Sequence, residues 1–593
     1  MKRATRWLAF GAALTGLMLI GLPSSADHAT RTDVRNIEAV ADLPNTNTLA
    51  NSDMAFWGDL AFQGNWDGWT VHDISDPTSP TTILDYEHCS DPAAGLGGGQ
   101  GDILVWQNLL VRAWNGSATA SAVCGTDANG DPIPIARTGF EGIHIFDISN
   151  VTQPQLIASV DIDTDAADKP PGITQGCGAH TLTAVPDPAS NTLYAYVGGS
   201  SFSAMAAGNC PGMDLVEIPL NNPAAAEWYG RAEAVPAEAE LGRSCHDITV
   251  YMIDKNRAVC SGSWTDTDPD PVVSSHGFAY WSMDAADGGS LREPVLLYQK
   301  DIPGTRTVGH TSAFSWDGKI LSWVAEPGGG VEAACEITDP VIDRQMFLLA
   351  AETGSLKGTW TIPTQGSDES CSSVHIMQSI PTTNGLDVFS SGNYMAGTYM
   401  IDYTDPTGPS AIGWSDPPPD QPGATFPILG GAWATYWYNG YLYESNIKKG
   451  LFISRSTSPQ AQTAVRFDFL NPQTMMPLPS VPGRCKGVEA TLVGTTASDI
   501  IRGTSGRDVI VGLTGKDRII GLRGADLICA GPGKDKVSGG GGDDRIFGQG
   551  GNDNLRGGGG DDFLNGGGGR KDRCHGGPGT NTARKCEKEI QIG

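Results

Sequence analysis

Aspartate recurs at Asp499, Asp508, Asp517, Asp526, Asp535, Asp544, Asp553 and Asp562, nine residues apart without a slip. An aliphatic residue follows each by two positions: Ile501, Ile510, Ile519, Ile528, Val537, Ile546, Leu555 and Leu564. Carboxylates are hard oxygen ligands, and a row of them stacked in register repels itself. A hard divalent cation such as calcium, seated between successive turns, cancels that repulsion. Several calcium ions are therefore expected, with Asp508, Asp517, Asp526, Asp535, Asp544, Asp553 and Asp562 as ligands. The best-formed units are GGGGDDRIF (539–547), GQGGNDNLR (548–556) and GGGGDDFLN (557–565). Earlier units replace the second glycine by Thr504, Leu513 or Leu522 and set Arg507, Lys516 or Lys534 beside the ligand, cations that weaken a nearby calcium site. After Asn565 the phase slips by one residue, which places Asp572 in a degenerate cap.

A second set of candidate ligands is His180, His246, His310 and His375. Each stands where a strand pair opens, in successive copies of a weaker repeat. If those copies are equivalent, four imidazoles ring the mouth of a central channel, a donor set suited to a transition metal. The competing expectation is that each His caps its own repeat. Asp247 is read as stabilising a turn rather than orienting His246. The acidic runs Asp127–Asp131 and Asp266–Asp270 resemble the opening of an EF-hand loop, but Thr138 and Gly277 stand where its bidentate Glu belongs, so both are read as solvated turns.

The elements that must position these residues are strands. In 494–577 each nonapeptide is a six-residue turn ending in Asp, followed by a three-residue strand whose middle aliphatic points inward: a parallel β-roll. Its inward aliphatics make a thin core, so calcium binding should act as folding energy. In 32–465, short β-type runs alternate with Gly, Pro, Asn and Asp turns. One phrase recurs as GWTVHDISDP (68–77), GIHIFDIS (142–149) and GTYMIDYTDP (397–406). Degenerate copies are Met213–Pro219, Phe278–Asp284, Arg344–Thr353 and Lys449–Ser454. Seven copies suit a seven-bladed β-propeller. The strand pairs before them open at Asp53, Asp102, His180, His246, His310, His375 and Trp433. The last blade ends early, and Asn36–Leu43 is expected to supply its outer strand. The fold class is thus all-β, a seven-bladed propeller followed by a nonapeptide β-roll.

On these phrases, and on SCHDI (244–248), GHTSAFSWDG (309–318) and ATYWYNGYL (434–442), residues 32–465 resemble the secreted LVIVD-repeat propeller family. Residues 485–587 resemble the RTX-type calcium-binding repeat domains of exported bacterial proteins. The LVIVD resemblance implies a fold and little about activity.

Met1–Ala26 reads as a Sec-type signal: Lys2, Arg3 and Arg6, an apolar run from Trp7 to Leu22, and the small residues Ser24, Ser25 and Ala26. A secreted protein of bacterial type is expected, with no transmembrane segment in the mature chain. Its twelve cysteines fall in close pairs, Cys89/Cys124, Cys177/Cys210, Cys245/Cys260 and Cys335/Cys371, with Cys485, Cys529, Cys574 and Cys586 at the end. Neighbour pairing into disulfides is the simplest reading for an exported chain. A net charge of −28 over 593 residues argues against nucleic acid as a partner. No nucleophile elbow or P-loop motif occurs. Residues 466–484 read as a linker between a propeller at 32–465 and a roll at 485–593.

The expected function is that of an exported, monomeric calcium-binding protein. Its propeller presents a face to an unidentified protein or glycan, and its roll folds on calcium. The alternative is a metal-dependent propeller enzyme, oxidase- or hydrolase-like, working through the four histidines.

Overall fold

A computed structural model describes residues 34–45, 50–93, 101–135, 137–162, 178–199, 212–232, 245–264, 275–302, 307–327, 341–363, 373–382, 385–415, 431–461, 469–476, 484–486, 488–494, 498–513 and 515–592. The expected signal at Met1–Ala26 lies outside them, as do Cys177, Cys210, Cys335, Cys371 and the 266–270 run. The chain divides into two compact units, Met1–Met476 and Pro477–Gly593.

Each copy of the recurring phrase in the first unit is the third of four antiparallel strands in its sheet, and three of the seven sheets carry a fifth, two-residue strand. In blade 1 the order is Asn51–Trp57, Leu60–Asn65, Gly68–Asp73, Thr81–Tyr86, and six further sheets repeat it. The inner strands of a blade are buried on both faces, as in Leu109–Trp114 and Ala432–Tyr438. The opening glycine has a steric reason. A Cβ on Gly142 would lie 2.0 Å from the Val160 carbonyl oxygen of the fourth strand.

The innermost strands of the seven sheets touch in sequence, and the last, Ala432–Tyr438, returns to the first, Asn51–Trp57. The ring is closed by chain topology too. Ile37–Pro44 pairs antiparallel with Gly450–Ser456 as the outer strand of blade 7. One circular sheet stack therefore holds both ends of the unit. Apolar clusters fill the spaces between adjacent blades. One joins Val111 and Ile145 of blade 2 to Leu182 and Val216 of blade 3.

Polar clasps join the inner strands. The Thr183 hydroxyl donates to the Ile248 carbonyl at 2.6 Å, and the Leu182 amide donates to Asp102 at 2.6 Å. The Thr311 hydroxyl likewise donates to Asp247 at 2.6 Å. Asp247 therefore ties blade 4 to blade 5, where a local turn was expected.

The expected linker 466–484 differs at its start. Phe469–Leu470 pairs with Asn51–Trp57, and Thr474–Met475 runs parallel to Asp247–Tyr251. Between them Asn471 accepts the Val105 amide at 2.9 Å and donates to the Val105 carbonyl at 2.8 Å. Inner strands carry unpaired backbone groups on their channel side, and this segment satisfies them. It belongs to the propeller.

The second unit is a parallel β-roll. Two parallel six-stranded sheets stack strands 18 residues apart, such as Arg518–Arg523 on Lys536–Gly541 and Leu527–Gly533 on Arg545–Gly551. Ile510, Ile519, Ile528, Val537, Ile546, Leu555 and Leu564 form the buried row between them. Disulfides Cys485–Cys529 and Cys574–Cys586 close its two ends, and Cys89–Cys124 and Cys245–Cys260 lie in the propeller. All four are neighbour pairs. No helix among the described residues is long and apolar enough to cross a membrane.

Candidate functional site

The roll places its aspartates in two columns, because consecutive nonapeptides alternate between the two sheets. One column is Asp499, Asp517, Asp535, Asp553 and Asp572; the other is Asp508, Asp526, Asp544 and Asp562. Within a column, each backbone amide donates to the Oδ1 atom of the aspartate one coil later. These bonds measure 2.8 Å for Asp508 to Asp526, 2.9 Å for Asp535 to Asp553 and 3.0 Å for Asp544 to Asp562. The second oxygen is different. Oδ2 of Asp517, Asp526, Asp535, Asp544, Asp553, Asp562 and Asp572 is buried and receives no hydrogen bond. A buried carboxylate oxygen without a donor is costly, and a cation is the partner that removes the cost.

Burial pushes up the carboxyls of Asp517, Asp526, Asp535, Asp544 and Asp553, with a neighbouring aspartate of the same column adding to it. Asp535 rises to about 6, and Asp544 and Asp553 to about 7. Glycine makes room for the bare oxygen. A Cβ on Gly539 would stand 2.1 Å from Oδ2 of Asp544, and one on Gly557 2.2 Å from that of Asp562.

Two positions depart from the expected ligand set. At Asp508, the Thr504 amide donates to Oδ2 at 2.7 Å and its hydroxyl reaches the same atom at 3.1 Å. Threonine in the place of the second glycine thus does locally what a cation would do. Asp572 was expected in a degenerate cap, yet the Asp553 amide donates to its Oδ1 at 2.8 Å. The one-residue insertion is absorbed in the turn, and the column continues through Asp572. Sequence phase alone hid this; the aspartate spacing of 19 rather than 18 was its only trace.

In the propeller, the four histidines lie edge to edge in a buried file. Ring centroids are 4.5 Å apart for His180 and His246, 4.5 Å for His246 and His310, and 4.3 Å for His310 and His375. Each sits at the opening of its inner strand, beside the clasping layer of Asp102 and Asp247. Glu326, near the end of the second strand of blade 5, enters the file and was missed by sequence reasoning. Its two carboxylate oxygens are 3.6 Å from Nε2 of His310 and 3.4 Å from Nε2 of His375. The Tyr394 hydroxyl donates to it as well. His246, His310 and Glu326 each offer a ligand atom within 4.8 Å of the others. Burial lowers the imidazoles, His180 to about 4 and His375 to about 3, and raises Glu326 to about 7.

Family matches fall on both units. The RTX calcium-binding nonapeptide repeat, in four copies, matches residues 493–528, 538–570 and 547–583. The LVIVD repeat matches 51–88 and 139–162. The chain joins LVIVD repeats to RTX repeats. Calcium binding is accordingly a property of the RTX roll, and the LVIVD phrase is the third-strand signature of the propeller.

No curated protein matches the chain. Among solved structures, the β-propeller domain of Myceliophteria thermophila Cps50 (Swd1) is similar at 11% identity, covering 71% of this chain and 99% of that one, with a TM-score of 0.39. The Dos1 propeller is similar at 8% identity, covering 72% and 97%, with a TM-score of 0.40. The propeller assignment stands on the strand order and the closed ring of inner strands.

Of the LVIVD unit's other sequence candidates, Asp127 accepts the Asn129 and Asp131 amides at 2.8 and 3.0 Å, a self-contained turn as expected.

Proposed function

We propose that this is an exported protein whose RTX roll closes only when calcium fills the two carboxylate columns, and whose LVIVD propeller serves as a scaffold for a protein or glycan partner. The observation that carries this reading is the set of seven buried Oδ2 atoms without donors, in register on both sides of the roll. Calcium has a coordination number of six to eight and takes oxygen ligands, which successive aspartates and turn carbonyls supply. The pairs Cys485–Cys529 and Cys574–Cys586 favour an oxidising compartment, where free calcium is also abundant. The basic, apolar and small-residue order of Met1–Ala26 supports export. A monomer is the simplest state for a ring that closes on itself.

The scaffold reading rests on the interblade clasps and the closed ring of inner strands. Limited proteolysis of the full chain in chelator and in millimolar calcium tests the calcium part. Cleavage within 498–592 that calcium suppresses, with the propeller resistant in both, is expected. Equal resistance of the roll in chelator counts against it. Secretion of the chain with and without residues 1–26 tests export.

A further inference from the structure

We infer that the buried file in the propeller channel is a second metal site, built from His246, His310, His375 and Glu326 for a zinc-class first-row divalent cation. The argument begins with where the imidazole protons must be. Nδ1 of His375 lies 2.6 Å from the Trp433 carbonyl oxygen, which only accepts. Nδ1 therefore carries the hydrogen, and a neutral ring leaves Nε2 with a bare lone pair. Nδ1 of His310 faces the His375 carbonyl at 3.2 Å and the Thr311 hydroxyl oxygen at 2.8 Å. That hydroxyl gives its own hydrogen to Asp247, so it too accepts from His310. His310 is thereby fixed in the same tautomer, with Nε2 bare.

Both bare nitrogens converge on Glu326, at 3.4 and 3.6 Å, on opposite oxygens of one carboxylate. Acceptors facing acceptors at that range, with all residues buried, are a set that one shared cation would relieve. Nε2 of His375 and Nδ1 of His246 have no hydrogen-bond partner at all. His180 stands outside the set, since its Nδ1 takes the Asn115 amide at 3.0 Å.

The surroundings are those of a metal centre. His375 donates its far N–H to the Trp433 carbonyl, and His310 donates its own to the His375 carbonyl and, through Thr311, to the Asp247 carboxylate, which fixes both rings and their tautomers. The Tyr394 hydroxyl donates to Oε1 of Glu326, the oxygen that faces His375. Tyr394 does so with a φ of +50, a conformation that bulky residues avoid, and its amide and carbonyl are pinned to Ala432 at 2.9 and 3.0 Å. Imidazole nitrogen with one carboxylate selects zinc, iron or copper over calcium, whose ligands are oxygen. The two metal classes therefore occupy different units of the chain.

The test uses the untagged full chain. It is loaded with zinc, dialysed into excess calcium and analysed for metal content by mass spectrometry. Wild type is expected to keep about one zinc per chain, and Glu326→Gln and His310→Ala to lose it at least about tenfold. Calcium content should be unchanged in both, which separates this inference from the reading of the roll. Glu326→Gln preserves volume, and near-ultraviolet circular dichroism reports whether each variant keeps its packing. Cobalt(II) offers a second readout on wild type alone, through visible bands characteristic of nitrogen coordination. No retained zinc and no such bands in wild type, or full retention in both folded variants, overturns the inference.

Discussion

The aspartates of the roll are unequal in a way that one hydrogen bond explains. Asp544 leaves Oδ2 bare, whereas Asp508 has its own filled by Thr504. Asp544→Asn should therefore raise the calcium midpoint of the full chain about tenfold, equivalent to about 1.4 kcal/mol. Asp508→Asn should shift it far less, and calorimetric titration of the two variants side by side checks the contrast. The pH dependence follows from the raised carboxyls. Their ordinary value is 3.8, and in the calcium-free roll Asp535 stands at about 6 and Asp544 and Asp553 at about 7. A raised carboxyl stabilises the fold while protonated, so its contribution is complete below about pH 4 and is lost as pH rises through about 6 to 7. In chelator, β-structure should thus increase on acidification from about pH 8 to about pH 5, while the calcium midpoint rises because protons compete for the same oxygens. Circular dichroism at both pH values, with and without calcium, measures each part.

At the scale of the element, glycine placement decides whether successive coils can stack. Gly551 has a φ of +127, and a Cβ there would fall 1.4 Å from the Gly533 carbonyl oxygen of the coil beneath. Gly551→Ala should cost the calcium-bound roll at least about 2 kcal/mol. Leu522 sits in the same left-handed region, with a φ of +80. Leu522→Gly removes that strain and should stabilise the roll by about 1 kcal/mol, read from its thermal midpoint in saturating calcium. Much of this scale was legible beforehand. Nine-residue phase gave the coil, and the LVIVD phrase marked the third strand of each blade, because both patterns are imposed by short-range alternation. Glu326 was not legible. It reaches the histidines through the pairing register of blade 5, and a lone Glu at the end of a strand carries no periodic mark. Thr474 and Met475 were hidden for a related reason, since a segment that pairs with a channel edge needs no amphipathic pattern of its own. Asp572 escaped because a one-residue insertion breaks sequence phase while a turn absorbs it in space.

On the scale of the whole molecule, the two units draw stability from different sources. The propeller has large interblade apolar clusters, polar clasps and a ring closed by Ile37–Pro44 on Gly450–Ser456. Its folding should be indifferent to calcium. The RTX roll has one row of aliphatics between two sheets, a small cluster around Val509, Leu527 and Phe547, and columns of carboxylates whose ionised state burial disfavours. Reduction of Cys485–Cys529 would release a loop of 44 residues from the first coils, at a cost of about 4 kcal/mol, and should raise the calcium needed for folding. On the proposed reading, one unit orders without calcium and the other waits for a cation. Amide hydrogen exchange on the oxidised full chain, followed by peptide across a calcium titration at neutral pH, tests this most directly. Protection should appear cooperatively over 498–592 with added calcium, while the propeller strands stay protected throughout. Equal protection of those coils in chelator at the same pH would contradict the account.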